Sequence, residues 1–233
     1  MIKEAIILAG GLGTRLREEV PDLPKALAPV AGAPFLSYVL KYFQSNGIDK
    51  FIFAVGYKSE IIKEFVKKSL KPDSYEFSVE SEPLGTGGAI RMACSKTAQK
   101  NVLVLNGDTF FRIDIHLFEE FHQANEADCS LSLKPMHDFD RYGVVRLNEN
   151  NSIRNFEEKR FYHDGLINGG VYMLNAEKFM QESLPEKFSF EKDWLEKFFR
   201  HRKIFGLVQD KYFIDIGIPQ DYRRAQTELP QNI

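Results

Sequence analysis

The stretch AIILAGGLGTRLREEVPDLPKALAPVAGAPFL, residues 5–36, decides the fold. It opens on the apolar run AIILA (5–9), whose length and isoleucines read as a buried strand. Glycines then fill three of the next four positions, Gly10, Gly11 and Gly13, with Thr14 following. A turn of this kind lets backbone N–H groups face an anion. Arg15 and Lys25 stand as cations along a loop punctuated by Pro21 and Pro24. Strand, glycine turn and cations together predict a loop that wraps a phosphate chain. The dinucleotide fingerprint is excluded, because Gly11-Leu12-Gly13 is followed by Thr14-Arg15-Leu16 and then by prolines, without the third glycine or a long helix. A Walker A loop is excluded too, since neither its lysine nor its spacing is there.

Working outward, strands and helices alternate. FIFAV (51–55), FSVES (77–81) and VLVLN (102–106) read as further buried parallel strands. Between them, 35–45 places Phe35, Val39, Leu40 and Phe43 on one helical face, ahead of the stop signal Asn46-Gly47. Residues 59–70 line up Ile61, Ile62, Phe65 and Val66 opposite Lys63, Glu64, Lys67 and Lys68, and 86–95 predicts a third, shorter helix. The rhythm predicts an α/β fold: a Rossmann-like, doubly wound, mostly parallel sheet flanked by helices. In the second half, CSLSL (129–133), GVVRL (143–147), SIRNFEEK (152–159) and GGVYML (169–174) crowd together around the turn NENNS (148–152). They predict the far edge of the same mixed sheet plus a small additional β-sheet, with helices returning at 176–182, 189–200 and 219–227. No linker or internal repeat divides the chain, so the expectation is one domain over 1–233, with a phosphate-loop half to about 115 and a second half from about 116.

With 233 residues, 43% hydrophobic, the chain is long enough for a proper core. A formal net charge of -2 gives no general attraction to nucleic acid or anionic membrane. The apolar runs are too short to span a bilayer, and MIKEAIILAGG reads as a first strand rather than a signal peptide. Cys94 and Cys129 form no CxxC and no zinc pattern, which fits a reducing, cytoplasmic setting. The histidines, His116, His122, His137, His163 and His201, are scattered, and KFSFEKDWLEKFF (187–199) reads as core packing, with Phe190, Trp194, Leu195 and Phe198 at helical spacing. Asp108 follows a predicted strand in Asn-Gly-Asp, and Asp215 ends another in FIDIG. Either alone would read as a turn residue or helix cap.

LAGGLGTRL followed by PKALAPVAGAPFL resembles the signature of the sugar-1-phosphate nucleotidylyltransferases. EPLGTGGA (82–89), VLNGDTFF (104–111), RYGVV (141–145), FEEK (156–159), INGGVYML (167–174) and YFIDIGIPQDY (212–222) follow in that family's order, along nearly the whole chain. FDRYG, LINGG and EKFSFE, with YFIDIGIPQDY, are most similar to members that transfer guanylyl to a manno-configured heptose 1-phosphate. Mannose 1-phosphate is the near alternative, uridylyl or thymidylyl transfer a weaker one. A non-catalytic regulatory subunit of the same fold would be expected to erode Arg15, Lys25, Asp108 or Asp215, all of which are kept. A molybdenum-cofactor guanylyltransferase shares the LAGG start but not the combination of FEEK with INGGVY.

The resemblance implies the nucleotide-diphospho-sugar transferase fold and the reaction of a sugar 1-phosphate with an NTP to give an NDP-sugar and pyrophosphate. It implies Arg15 on the departing phosphates, Lys25 at the reacting ones, and Mg²⁺ on Asp108 and Asp215. Nucleotide contacts are expected from Leu8, Gly10, Gly11, Gly13, Thr14, Glu80, Gly85 and Thr86. Sugar-phosphate contacts are expected from Asn106, Tyr142, Gly143, Glu158, Lys159, Asn168 and Gly169. A carboxylate only accepts hydrogen bonds, and guanine offers N1–H and N2–H₂ on one edge, so Glu80 favours GTP, with Glu82 as the other candidate reader. Two departures stand out: Ile218 where many members have threonine before Pro219, and Arg160 where many have proline after the lysine. Partners are thus small molecules, with neither nucleic acid nor membrane, and a homodimer is left open.

Overall fold

The computed structural model describes residues 1–11, 16 and 19–233. In chain order the first half holds β1 (Glu4–Leu8), a 3₁₀ turn (Lys25–Leu27), β2 (Pro29–Val30), β3 (Ala33–Pro34), α1 (Phe35–Ser45), β4 (Lys50–Val55), α2 (Ser59–Ser69), β5 (Tyr75–Val79), α3 (Gly85–Cys94), β6 (Asn101–Asn106) and β7 (Thr109–Phe111). The second half holds α4 (Ile115–Ala124), β8 (Cys129–Phe139), β9 (Val144–Leu147), β10 (Ile153–Glu157), β11 (Tyr162–Asn175) and α5 (Ala176–Met180). A π-helical turn (Phe190–Leu195) runs into α6 (Glu196–Phe198), and β12 (Ile204–Val208), β13 (Phe213–Asp215) and α7 (Pro219–Glu228) complete the chain.

Among the described residues the main sheet has seven strands in the order β12-β8-β11-β6-β1-β4-β5. β1 pairs parallel with β4 and β6, β4 with β5, and β8 with β12, whereas β11 runs antiparallel to both β6 and β8. The sheet is therefore mixed and mostly parallel. β9–β10 forms the small additional sheet of the second half, while β7–β13 and β2–β3 are short ribbons.

Strand alternation sorts the core into two layers. Ala5, Ile7, Phe51, Phe53, Leu103, Leu105 and Met173 pack on one face with Val39, Phe43, Ile62 and Phe118 from α1, α2 and α4. Ile6, Ile52, Ala54, Val102, Val104 and Tyr172 pack on the other with Ile90 from α3, Phe179 from α5 and Trp194 from the π-helical turn. KFSFEKDWLEKFF is core packing as expected: Phe190 and Trp194 stack with ring centroids 5.1 Å apart. Cys94 and Cys129 are buried free thiols on the same face of the sheet.

The structure differs from the sequence expectations at several elements, among them 189–200, where a π-helical turn and the short α6 stand in place of the one helix expected. Helix α4 and the edge strand β12 had not been read, and β8 and β11 run well past the segments expected for them. α4 presents Ile115, Phe118 and His122 inward, a stripe thinned by the charged and polar residues between them. β8 and β11 lengthen into a protruding pair whose outer parts carry polar residues such as His137 and Asp164, so hydrophobicity alone cannot mark their ends. FSVES proves to be an edge strand with Val79 exposed. No helix among the described residues is long and apolar enough to cross a membrane.

Candidate active site

The carboxyl ends of β1, β4 and β6 open onto one cavity of about 710 Å³. Leu8, Gly10 and Gly11 line it from the end of β1, and Asn106, Gly107 and Asp108 from the end of β6. Glu80, Gly85 and Thr86 line it as well, together with Lys25 and Gly217. In a parallel sheet these strand ends are side by side, and register brings them level: Leu8 pairs with Asn106 and with Ala54. Segments far apart in sequence are thus forced to one place, where open α/β sheets bind ligands.

Glycine is required at the start of α3. Gly85 has φ +72°, and a Cβ there would stand 2.5 Å from the Phe188 carbonyl oxygen. The helix can thereby begin at the cavity wall, where Gly85 and Thr86 line the space and the Gly87 N–H donates to the Phe188 carbonyl at 3.0 Å. Glu80 is held by the Leu84 N–H, which donates to Oε2 at 2.9 Å, so the carboxylate is oriented without being used up. Lys25 follows Pro24 in the 3₁₀ turn, and its side chain is nearly buried.

The ribbon β7–β13 explains why two aspartates meet. Asp215 pairs with Thr109, and the Ile216 N–H donates to the Asp108 carbonyl at 3.0 Å. The Lys25 ammonium then lies 2.5 Å from Asp108 Oδ2 and 3.6 Å from Asp215 Oδ1. The Gly217 N–H donates to Asp215 Oδ1 at 2.7 Å, and the Tyr142 hydroxyl is 3.4 Å from Asp215 Oδ2. Burial first, and then the charge of Asp108, push the Asp215 carboxyl above its ordinary value, while Lys25, the Gly217 N–H and Arg141 pull it back. Arg141 reaches within 4.0 Å of Asp215 and is itself ion-paired with Asp221. Two carboxylates sharing one ammonium, one of them desolvated, form a site that demands positive charge. Their oxygens also suit a hard divalent cation that keeps water and phosphate oxygens as its other ligands.

The remaining positions named from the sequence divide into three groups. Gly13, Thr14 and Arg15 lie outside the described residues. Asn168 and Gly169 sit at the bulge of β11, where pairing with β8 shifts between Asn168 and Tyr172, and neighbouring Gly170 packs against the Asn106 side chain. Gly143 packs against the Glu157 carbonyl, whereas Glu158 and Lys159 are exposed beyond the end of β10 and do not line the cavity. Glu157, at the end of β10, forms a surface ion pair with Arg146 at 2.8 Å. Tyr57 and Glu191 also line the cavity and had not been named as site residues. Glu191 ends the motif EKFSFE, whose aromatics signal core packing in the sequence and mask the carboxylate.

A family model described as Nucleotidyl transferase matches residues 4–232. The chain is 50% identical, over 99% of its length and 100% of the relative's, to D-glycero-alpha-D-manno-heptose 1-phosphate guanylyltransferase of Aneurinibacillus thermoaerophilus. It is 46% identical to the Campylobacter jejuni protein of the same description, over 94% of this chain and 96% of that one. The crystal structure of HddC from Yersinia pseudotuberculosis complexed with GMP-PN superposes with a TM-score of 0.87 at 36% identity, covering 97% of this chain and 98% of that one. With the glycine turn, Lys25 and the paired aspartates all gathered at the end of the sheet, and the match running almost end to end, the chain belongs to the nucleotidyl transferase family.

Proposed function

We propose that the chain transfers guanylyl from GTP to D-glycero-α-D-manno-heptose 1-phosphate, releasing pyrophosphate and forming GDP-heptose for glycan precursor synthesis. The observation that carries this reading is the cluster of Lys25 with Asp108 and Asp215 at a cavity that Lys25 and Asp108 line. The full-length likeness to two heptose 1-phosphate guanylyltransferases supports the choice of sugar and nucleotide. Mannose-1-phosphate guanylyltransferase of Mycobacterium tuberculosis is more distant, at 32% identity, and this chain covers 65% of it.

The chemistry needs no general base. The second pKa of a phosphate monoester is about 6, so the sugar phosphate already carries a nucleophilic oxygen near neutral pH. That oxygen bonds to the α-phosphorus as the bond to the bridging oxygen breaks and pyrophosphate leaves in line. What the protein must supply is charge and position. Asp108 and Asp215 would hold a Mg²⁺ ion, which when bound draws negative charge off the reacting phosphates. The Lys25 ammonium faces the same phosphates, and Arg15 takes those that depart. Gly10, Gly11 and the start of α3 at Gly85 form the bed for the nucleotide. Glu80 accepts from the N1–H and N2–H₂ edge of guanine, an edge adenine lacks. Lys159 meets the sugar phosphate, and Glu158 and Asn168 pair with sugar hydroxyls. Residues 1–233 work as one unit, the first half for nucleotide and the second for sugar.

The test is a pyrophosphate-release screen across four NTPs, with heptose and mannose 1-phosphates side by side. The expected outcome is the highest kcat/KM for GTP with the heptose. Preference for UTP, or for mannose 1-phosphate, would replace this reading.

A further inference from the structure

Glu191 is a carboxylate on the wall of the cavity that Lys25 and Asp108 also line. It forms no ion pair with the described residues. Three hydroxyls hold it instead. Thr86 Oγ1 donates to its Oε2 at 2.7 Å, Ser189 Oγ donates to the same oxygen at 3.1 Å, and the Tyr172 hydroxyl reaches Oε1 at 3.4 Å. A carboxylate has about four acceptor positions, so Oε1 keeps one in reserve. Thr86 is fixed in turn by the Phe190 N–H, which donates to Oγ1 at 2.9 Å. Tyr172 accepts from Asn168 Nδ2 at 2.9 Å, and Asn168 Oδ1 accepts from the Gly170 N–H at 3.0 Å. This chain of hydrogen bonds runs from the first turn of α3 to the β11 bulge.

An unpaired carboxylate repels phosphate groups placed a few ångströms away. Its ligand must therefore be the part of a substrate that is neutral and rich in donors. In the reaction proposed above, guanine is already matched to Glu80, which lines the same cavity. The sugar ring and its side chain are what remain. We propose that Glu191 is a specificity-determining residue for the sugar 1-phosphate, accepting a hydrogen bond from a sugar hydroxyl and oriented for it by Thr86, Ser189 and Tyr172. This inference rests on the transfer reaction proposed above. It also moves Thr86 from the nucleotide side of the site to the sugar side.

The test measures KM for each substrate, together with equilibrium binding of the sugar 1-phosphate, in wild type, E191Q and T86V. Losing a hydrogen bond to a charged acceptor is expected to raise KM and Kd for the sugar 1-phosphate about tenfold in E191Q and to leave KM for GTP within about twofold. T86V, which removes one orienting hydroxyl, moves the same constants by a smaller factor and keeps the inference testable should E191Q fail to fold. A panel of deoxy sugar 1-phosphates adds a second readout: for the hydroxyl that Glu191 reads, the penalty paid by wild type disappears in E191Q. Equal changes in both KM values, or wild-type constants in both variants, would overturn the assignment. Wild type is run first. If it prefers another sugar, the heptose reading fails while Glu191 is still tested on that sugar, and a wild type that binds no sugar 1-phosphate overturns both.

Discussion

The two halves of the molecule place their polar residues in opposite ways. In the first half, residues from the ends of β1, β4 and β6 close around one cavity, and Lys25 is nearly buried between two carboxylates. In the second half, Glu158 and Lys159 stand exposed past the end of β10, and Asn168 donates to the Tyr172 hydroxyl. The difference is one of construction. Adjacent parallel strands end level with one another, so topology alone assembles the side proposed for the nucleotide. Antiparallel strands return outward, so the side proposed for the sugar depends on a bulge and on a chain of hydrogen bonds ending at Glu191.

The largest expected effect lies where the halves meet. D108A and D215A should each lower kcat by about a thousandfold or more while leaving the fold intact by circular dichroism, because each removes half of the cation site. Near-normal turnover in either variant would take that aspartate out of the chemistry. K159A separates the halves: KM for the sugar phosphate should rise about tenfold with that for GTP little changed, as befits loss of one charge-assisted hydrogen bond. A matched rise in both would place Lys159 on the nucleotide side. E80Q probes the first half alone, and the GTP/UTP ratio of kcat/KM should fall about tenfold. A constant ratio would reject Glu80 as the base reader and turn attention to Glu82.

The smallest effect concerns stability. All five histidines lie in the second half. His122 on α4 is buried against β8, its Nδ1 2.9 Å from Ser130 Oγ. Burial above all pushes its imidazole down to about 4 from an ordinary 6.5, with Asp128 and Glu119 pulling upward and Lys178 downward. Between those values the unfolded chain takes up a proton that the folded chain refuses, so stability falls as pH falls through the window, by at most about 3 kcal/mol. H122N should flatten that dependence in urea melts. An unchanged slope would show that other groups set it.

How much was legible follows the same division. The glycine turn, Lys25 and Asp108 are read from short stretches because each sits within a few residues of a strand end, and α1 was placed residue for residue by its apolar stripe. Glu191 escaped because its neighbours Phe190 and Trp194 are core residues, and only the packing of Phe188 and Phe190 against α3 and β11 reveals which way the carboxylate turns. The β11 bulge escaped because a register shift is a property of a strand pair. The two glycines there signal flexibility, but the Asn106 side chain pressing on Gly170 comes from a strand more than sixty residues away.

The central claim is that Asp108 and Asp215 form one cation site shared with the reacting phosphates. Mn²⁺ binding, followed by electron paramagnetic resonance in the presence of a non-hydrolysable GTP analogue, tests it without relying on turnover. D108A and D215A should each weaken Mn²⁺ affinity about tenfold or more relative to wild type. Wild-type affinity in both variants would contradict that claim.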